Sequence, residues 1–141
     1  MDINKLHKEL ENLANTIKAT IRASMEKYPN LSESNIYKEL KSDAVGYDLI
    51  KVLIHDYYIY IENGRRSGSF PPPKAIADWC KEIGIDDSNG TVYAICMSIY
   101  KGGIVARPFF EESWDSIDDL FDGFADRVMD ILLEDINAEL S

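Results

Sequence analysis

Few side chains in this sequence could do chemistry, and their spacing fits no catalytic or metal-binding motif. There are two histidines, His7 and His55, and two cysteines, Cys80 and Cys96. The cysteines lie sixteen positions apart without the Cys-x-x-Cys pairs of zinc sites, and neither histidine belongs to a His-Glu-x-x-His motif. One disulfide could form in principle. Both cysteines fall within apolar helical patterns, however, so we expect two reduced core thiols.

The serines, glycines and carboxylates also lack a catalytic arrangement. The run Ser67-Gly68-Ser69 is not a Gly-x-Ser-x-Gly nucleophile elbow. The run 64–68, Gly-Arg-Arg-Ser-Gly, superficially resembles a phosphate-binding loop but lacks the lysine and the following serine or threonine of the Walker motif. The aspartates near the end of the chain follow a stripe that we expect to face water. The sequence therefore predicts no enzymatic activity, no cofactor and no metal.

The arginines offer binding chemistry instead. Arg65 and Arg66 are adjacent in a glycine- and proline-rich stretch, and a guanidinium can hold a carboxylate or a phosphate with two parallel hydrogen bonds. Arg107 stands beside Pro108, which would hold it in place. These side chains could simply solvate turns, or they could bind a neighbouring subunit, another protein or a nucleic acid. We predict an interaction site formed by Arg65, Arg66, Phe70, Trp79 and Arg107.

The net charge of −10 is concentrated near the end of the chain. Residues 111–141 hold eleven acidic side chains and one basic one, Arg127, whereas residues 1–110 are neutral. A solvated helix face would explain this acidity. An acidic surface also repels nucleic acid and attracts basic partners, so subunits in a ring would have to point these faces outward or towards basic groups on another protein.

Periodicity predicts amphipathic helices at both ends of the chain. Residues 3–28 repeat apolar side chains at intervals of three and four, and residues 112–140 do the same through Trp114, Ile117, Phe121, Phe124, Val128 and Ile131. No apolar run reaches the roughly 20 residues that span a bilayer, and the first residues lack a secretory signal pattern. We expect the protein to be made in the cytoplasm of the producing cell and not to associate with a membrane.

The centre of the chain is mixed. A short helix can follow Ser32 or Ser34, residues 42–46 read as a turn, and residues 47–62 are rich in branched and aromatic side chains typical of strands. The second part of that run, after His55-Asp56, also fits a short helix ending at Gly64. Residues 63–73 read as an irregular loop, and two further short helices are expected near 73–83 and 91–101. The result is an α+β fold, with terminal helices packed on a small central antiparallel sheet. We expect a single domain, 1–141, with a neutral body (1–110) and an acidic helix (111–141).

The order of residues between 57 and 110 resembles that of neck and tail-completion proteins of tailed bacteriophages. It reads Tyr57-x-x-Tyr60-x-Glu62-x-Gly64-Arg65-x-x-Gly68-x-x-Pro71-Pro72-x-x-x-Ile76-x-x-Trp79, then Ile83-Gly84-Ile85, Tyr93-Ala94-Ile95, Gly102-Gly103-Ile104 and Arg107-Pro108-Phe109-Phe110. The two ends of the chain match by pattern alone. One departure is that the family places a lysine or arginine close to the proline pair, where Ser69 and Phe70 stand here.

The resemblance implies a virion structural protein, not an enzyme. Such a head–tail connector or tail-completion protein would join a ring at the head–tail junction, with the dodecameric symmetry of portals as the expectation. Its partners would be copies of itself, portal, adaptor or tail proteins, and possibly packaged DNA in the channel. It would be located in the virion neck or tail region.

Two other functions fit parts of the sequence. The acidic helix fits a binding regulator, such as a DNA mimic that occupies a basic nucleic-acid-binding protein, although residues 1–110 are neutral. Direct nucleic-acid binding through Arg65 and Arg66 is a third hypothesis, and the overall acidity argues against it.

Overall fold

The computed structural model describes residues 3–46, 48–55 and 58–140. Within that part of the chain there are six α-helices, one short 3-10 helix (Leu31–Glu33) and two strands. In chain order the elements are α1 (Ile3–Met25), α2 (Asn35–Lys38), β1 (Lys41–Val45), β2 (Leu49–Leu53), α3 (Tyr58–Asn63), α4 (Pro73–Ile83), α5 (Asn89–Gly102) and α6 (Phe109–Leu140). The predicted α+β class, with terminal helices and a small antiparallel sheet, is confirmed. Tyr47 and Tyr57, used in the sequence analysis, lie outside the described residues.

Contacts divide the chain into two compact units. The first comprises Met1–His55 and Phe109–Ser141, and the second comprises Asp56–Pro108. The first unit therefore holds both terminal helices and the hairpin, while the second holds α3, α4 and α5. The single domain expected from the sequence, with its division at residue 110, stays a prediction.

In the first unit, α1 and α6 pack against each other in antiparallel orientation. Lys5 near the start of α1 bonds Glu134 near the end of α6, with 2.9 Å between Nζ and Oε2. One turn further along α1, Glu9 accepts a hydrogen bond of 2.8 Å from Nε of Arg127. At the other end, the Ser24 hydroxyl donates to the carbonyl of Phe109, a fully buried residue. The apolar stripe of α1 supplies most of this core, through Leu6, Leu10, Leu13, Ile17, Ile21 and Met25.

The two strands form a hairpin that packs on α1. Lys41 pairs with Leu53 and Val45 with Leu49, and the chain turns at Gly46. The prediction of a turn over 42–46 was wrong, because the polar run from Lys41 to Val45 is a strand. It has little intrinsic β-propensity, yet ladder bonds to β2 and packing on α1 place it there.

His7 on α1 holds the hairpin turn. Its Nδ1 bonds the carbonyl of Gly46, and its Nε2 lies 2.8 Å from Oε1 of Glu11 one helical turn later. The bond to Gly46 raises the pKa of His7, and the hydrogen bond and negative charge of Glu11 raise it further. Partial burial acts in the opposite direction and lowers the pKa. The contacts with Gly46 and Glu11 both stabilise the imidazolium form, which donates from both nitrogens, relative to an isolated histidine.

In the second unit, α4 packs against α5. The two helices bury Cys80 and Cys96, both free, so the prediction of reduced core thiols is confirmed. Burial raises the pKa of both thiols. α4 begins at Pro73 and ends before the left-handed Gly84, so the helix predicted near 73–83 is confirmed.

The run 47–62 separates into a strand and a helix. Residues 49–53 form β2, and 58–63 form α3, so the helical alternative for the second part is confirmed. None of the helices in the described residues is long and apolar enough to cross a membrane.

Candidate interaction site

Two segments that are distant in sequence pair with each other in the second unit. The loop after α3 and the segment after α5 meet at an antiparallel bridge between Arg65 and Ile104. The amide of Arg65 donates to the carbonyl of Ile104 over 2.8 Å, and the amide of Ile104 donates back over 2.7 Å. The amide of Arg107 adds a bond of 2.7 Å to the carbonyl of Ile61. The Glu-x-Gly-Arg and Gly-Gly-Ile runs are thus two sides of one backbone contact.

Glycine is required on both sides of this bridge. Gly64 has a φ of +67°, and a Cβ there would lie 2.5 Å from the Ile104 carbonyl oxygen and 2.7 Å from the Ala106 nitrogen. Gly103, also at +67°, would place a Cβ 2.9 Å from the Ser67 nitrogen. Both positions combine left-handed backbone with close approach of a second segment, and any side chain would separate the two segments.

The guanidinium of Arg65 holds its own loop together. Its Nη2 donates to the Ser69 hydroxyl over 3.1 Å and to the Phe70 carbonyl over 3.2 Å. Its Nε is buried and has no hydrogen-bond partner among the described residues. Arg65 was predicted to contact a partner. These bonds give it a structural role in fixing the path from the bridge to the prolines.

Phe70 is part of an aromatic cluster on the surface of α5. Its ring centroid lies 6.0 Å from that of Tyr93 and 6.3 Å from that of Tyr100, and all three rings are exposed. The two tyrosines are seven residues apart, which is two helical turns and therefore the same face of α5. The amide of Gly68 donates to the Tyr100 carbonyl over 2.7 Å and fastens the loop to this helix.

The remaining predicted site residues differ in their surroundings. Arg66 is exposed, and none of the described side chains pairs with it. Arg107 is half-buried, and its backbone is fixed by the bond to Ile61. Trp79 is half-buried on α4 and already takes part in an interaction within the chain, so its side chain is not free to bind a partner. The sequence analysis missed Tyr93 and Tyr100 as site residues, although their seven-residue spacing beside a glycine break was a usable signal.

We define the loop patch as Arg66, Phe70, Lys74, Tyr93, Tyr100 and Lys101. All six are exposed and come from the loop after α3, the first turn of α4 and α5. Exposed aromatic rings and an exposed arginine are typical of protein interfaces, where both residue types are enriched. The arrangement can bind an acidic, partly apolar surface. It offers no nucleophile with an adjacent base.

The part of the chain that the structure describes contains no group of three or more His, Cys, Asp or Glu side chains that could hold a metal ion. Among the carboxylates of the second unit, Asp86 has a clear structural role. Its Oδ2 accepts from the hydroxyls of Thr91 and Ser88, each over 2.7 Å, and its Oδ1 accepts from the Ser88 amide over 3.0 Å. These hydrogen bonds lower the pKa of Asp86, and the bond from Thr91 contributes most to the change. They fasten the first turn of α5.

Comparison with family models, with curated proteins and with solved structures finds no match.

Proposed function

We propose that this protein is a virion structural protein of a tailed bacteriophage, a subunit of a neck ring at the head–tail junction. The observation that carries the proposal is the pairing at Arg65 and Ile104. The two runs that resemble neck and tail-completion proteins, Glu-x-Gly-Arg and Gly-Gly-Ile, contact each other through glycines that accept no side chain. A resemblance spread over distant positions thus corresponds to one structural element.

The extent of the resemblance supports the same function. It covers residues 57–110, and the second compact unit covers 56–108. Apart from Phe109 and Phe110, which belong to the first unit, the residues that resemble the neck proteins therefore belong to one folded body, with the loop patch on its surface. A ring subunit needs two different faces for its two neighbours, and the loop patch is one such face. Twelve copies, the symmetry of portals, is the number we propose, with portal, adaptor or tail proteins as the flanking partners.

The test is the composition and assembly of virions of the phage that carries this gene. We expect the protein in purified particles at a fixed ratio to the portal, and DNA-filled heads without tails when the gene is deleted. Negative-stain images of the particles would show density at the neck that the deletion removes. Absence of the protein from purified virions, with normal tail attachment in the deletion strain, would overturn the proposal.

The acidic face of α6 favours a second candidate, a regulator that binds a basic nucleic-acid-binding protein. The first unit buries Phe109, Ser113 and Ile117 of α6, so deletion of this helix would unfold its own core and is a poor test. Replacement of surface aspartates by asparagine is better. A regulator would retain one basic host protein in its pull-down and lose it on this replacement, whereas a neck subunit would retain no such host protein before or after it.

A further inference from the structure

α6 covers α1 with only one of its faces. Its buried residues are Phe109, Ser113, Ile117 and Ile131. A second apolar row is exposed, and its large members are Trp114, Phe121, Met129, Leu133, Ile136 and Leu140. Positions 121, 125, 129 and 133 are each four residues apart, so they form one row along the surface of the helix. Large exposed apolar rows of this kind mark sites of protein association.

A row of aspartates runs beside this apolar row. Asp118, Asp122, Asp126 and Asp130 follow one another at four-residue steps, and all four are exposed. Among the described residues, no cation pairs with any of them or with Asp115 and Asp119. The only basic residue of the segment, Arg127, is bonded to Glu9 on α1. The outer face of α6 is therefore apolar on one side and uniformly negative on the other.

The loop patch has the opposite charge. The stretch 63–77 contains Arg65, Arg66 and Lys74 and no carboxylate, and the stretch 88–110 contains Lys101 and Arg107 and no carboxylate. Arg66, Lys74 and Lys101 are exposed, and none has an ion-pair partner in the described part of the chain. Phe70, Tyr93 and Tyr100 add exposed apolar surface to the patch.

We propose that the outer face of α6 docks on the loop patch of a second copy of this chain, in a head-to-tail contact. Charge selects this occupant: each copy carries one acidic apolar face and one basic aromatic face, and opposite faces attract. Pairing of two α6 helices would bring two aspartate rows together, and pairing of two loop patches would bring their cations together. Both symmetric dimers are disfavoured, whereas the heterologous contact repeats from copy to copy, as the contact between ring subunits must.

This inference rests on the proposed neck-ring function and supplies the contact that the ring requires. It also gives the acidic face a role, because aspartates that would repel one another around a ring are neutralised by the next subunit. Attraction between exposed charges weakens as salt increases, since the Debye length falls from about 10 Å at 0.1 M to about 3 Å at 1 M.

The experiment measures self-association of the full chain by sedimentation velocity over a range of concentrations. We expect association at about 50 mM salt that weakens at about 500 mM. Two charge-reversed variants remove it, with a rise in the apparent dissociation constant of at least about tenfold. The α6 variant is Asp118→Lys, Asp122→Lys and Asp126→Lys, and the patch variant is Arg66→Glu, Lys74→Glu and Lys101→Glu.

The decisive measurement is the mixture of the two variants. In a head-to-tail contact, the basic α6 of one variant fits the acidic patch of the other, so the mixture associates although each variant alone does not. The control is Lys8→Glu, Lys27→Glu and Lys38→Glu, which changes the net charge as much as the patch variant does, at exposed lysines of the first unit. It should associate like the original protein. Circular dichroism verifies that every variant is folded.

Three results would overturn the inference. They are a chain that stays monomeric up to about 1 mM, association that the patch variant leaves unchanged, and a mixture that fails to associate when the unmodified chain does. These results are separate from the test of the proposed function. If the protein is present in virions but neither set of substitutions changes its self-association, the docking alone is refuted. If the protein self-associates as expected but is absent from virions, the neck-ring function alone is refuted.

Discussion

Replacement of Gly64 by alanine tests whether the bridge at Arg65 and Ile104 organises the second unit. The new Cβ would lie 2.5 Å from the Ile104 carbonyl oxygen and 3.0 Å from the Ala106 Cα, and both belong to the backbone of the opposite segment. No flexible side chain can move aside there. The substitution must therefore either separate the two segments or change the left-handed conformation at residue 64.

The expected cost has two parts. A left-handed conformation costs an ordinary L-residue about 1–2 kcal/mol. Overpacking against fixed atoms costs about 1–3 kcal/mol more. Gly64→Ala should therefore lower the free energy of unfolding by about 2–5 kcal/mol, a large part of the stability of an ordinary domain.

Gly84 provides a matched control. It ends α4 with a φ of +76°, and a Cβ there would meet nothing within 4 Å. Gly84→Ala should cost only the conformational part, about 1–2 kcal/mol. The difference between the two variants isolates the contact between the segments.

Urea denaturation of both variants gives the two free energies. Hydrogen exchange at the amides of Arg65 and Ile104 gives a local measure, since these amides bond to each other's carbonyls across the bridge. Gly64→Ala should accelerate exchange at both, and Gly84→Ala should leave it unchanged. Equal destabilisation by the two substitutions, with equal exchange at the bridge, would refute the claim that Gly64 is required by close approach.

Further predictions concern the core, a histidine and the thiols. Phe109→Ala should lower the free energy of unfolding by about 3–5 kcal/mol, because Phe109 is fully buried, whereas Val105→Ala at an 82% exposed position should change it by less than about 0.5 kcal/mol. The raised pKa of His7 stabilises the fold below pH 6.5, its usual value, and the contribution disappears as the pH rises through the folded pKa. The urea midpoint should therefore fall between about pH 6 and pH 8. Cys80 and Cys96 should react with a thiol reagent at least about a hundredfold more slowly in the folded protein than in urea, since burial raises their pKa and blocks access.

Each of these predictions has a result that would contradict it. Similar effects of the Phe109 and Val105 substitutions would mean that the start of α6 is not part of the core. A His7→Gln variant with the same decline between about pH 6 and pH 8 would assign the pH dependence to another group. Rapid modification of both thiols in the folded protein would show that the contact between α4 and α5 opens readily.

The sequence predicted the helices at both ends because each carries a long apolar period. It could not predict which apolar side chains of α6 are covered. Trp114 and Phe121 belong to the same predicted stripe as Ile117 and Ile131, yet the first two are about half exposed and the last two are buried. Periodicity shows which residues share a face of a helix. How much of that face is covered depends on the width of the neighbour, here the single helix α1.

The strand β1 was missed for a related reason. Its residues, Lys41 to Val45, have no branched or aromatic pattern, and its place depends on pairing with β2 and on α1 beneath it. The candidate site was predicted in part. Arg66 and Phe70 lie on its surface, but nothing in the sequence distinguished Arg66 from Arg65, whose guanidinium bonds its own loop.

The roles of Arg65 and Arg66 show how a fold can fix residue types at a given spacing without forming an active site. Gly64 and Gly103 are fixed by a backbone contact, and Arg65 by the hydrogen bonds that shape the loop. These requirements come from the fold of the second unit, so they set residue types at fixed spacing without creating an active site. The residues left free by those requirements, Arg66 and Phe70 among them, are exposed and can vary with the partner. Ser69 and Phe70 show both kinds of role side by side, because the Ser69 hydroxyl accepts a hydrogen bond from Arg65 whereas the Phe70 ring is exposed.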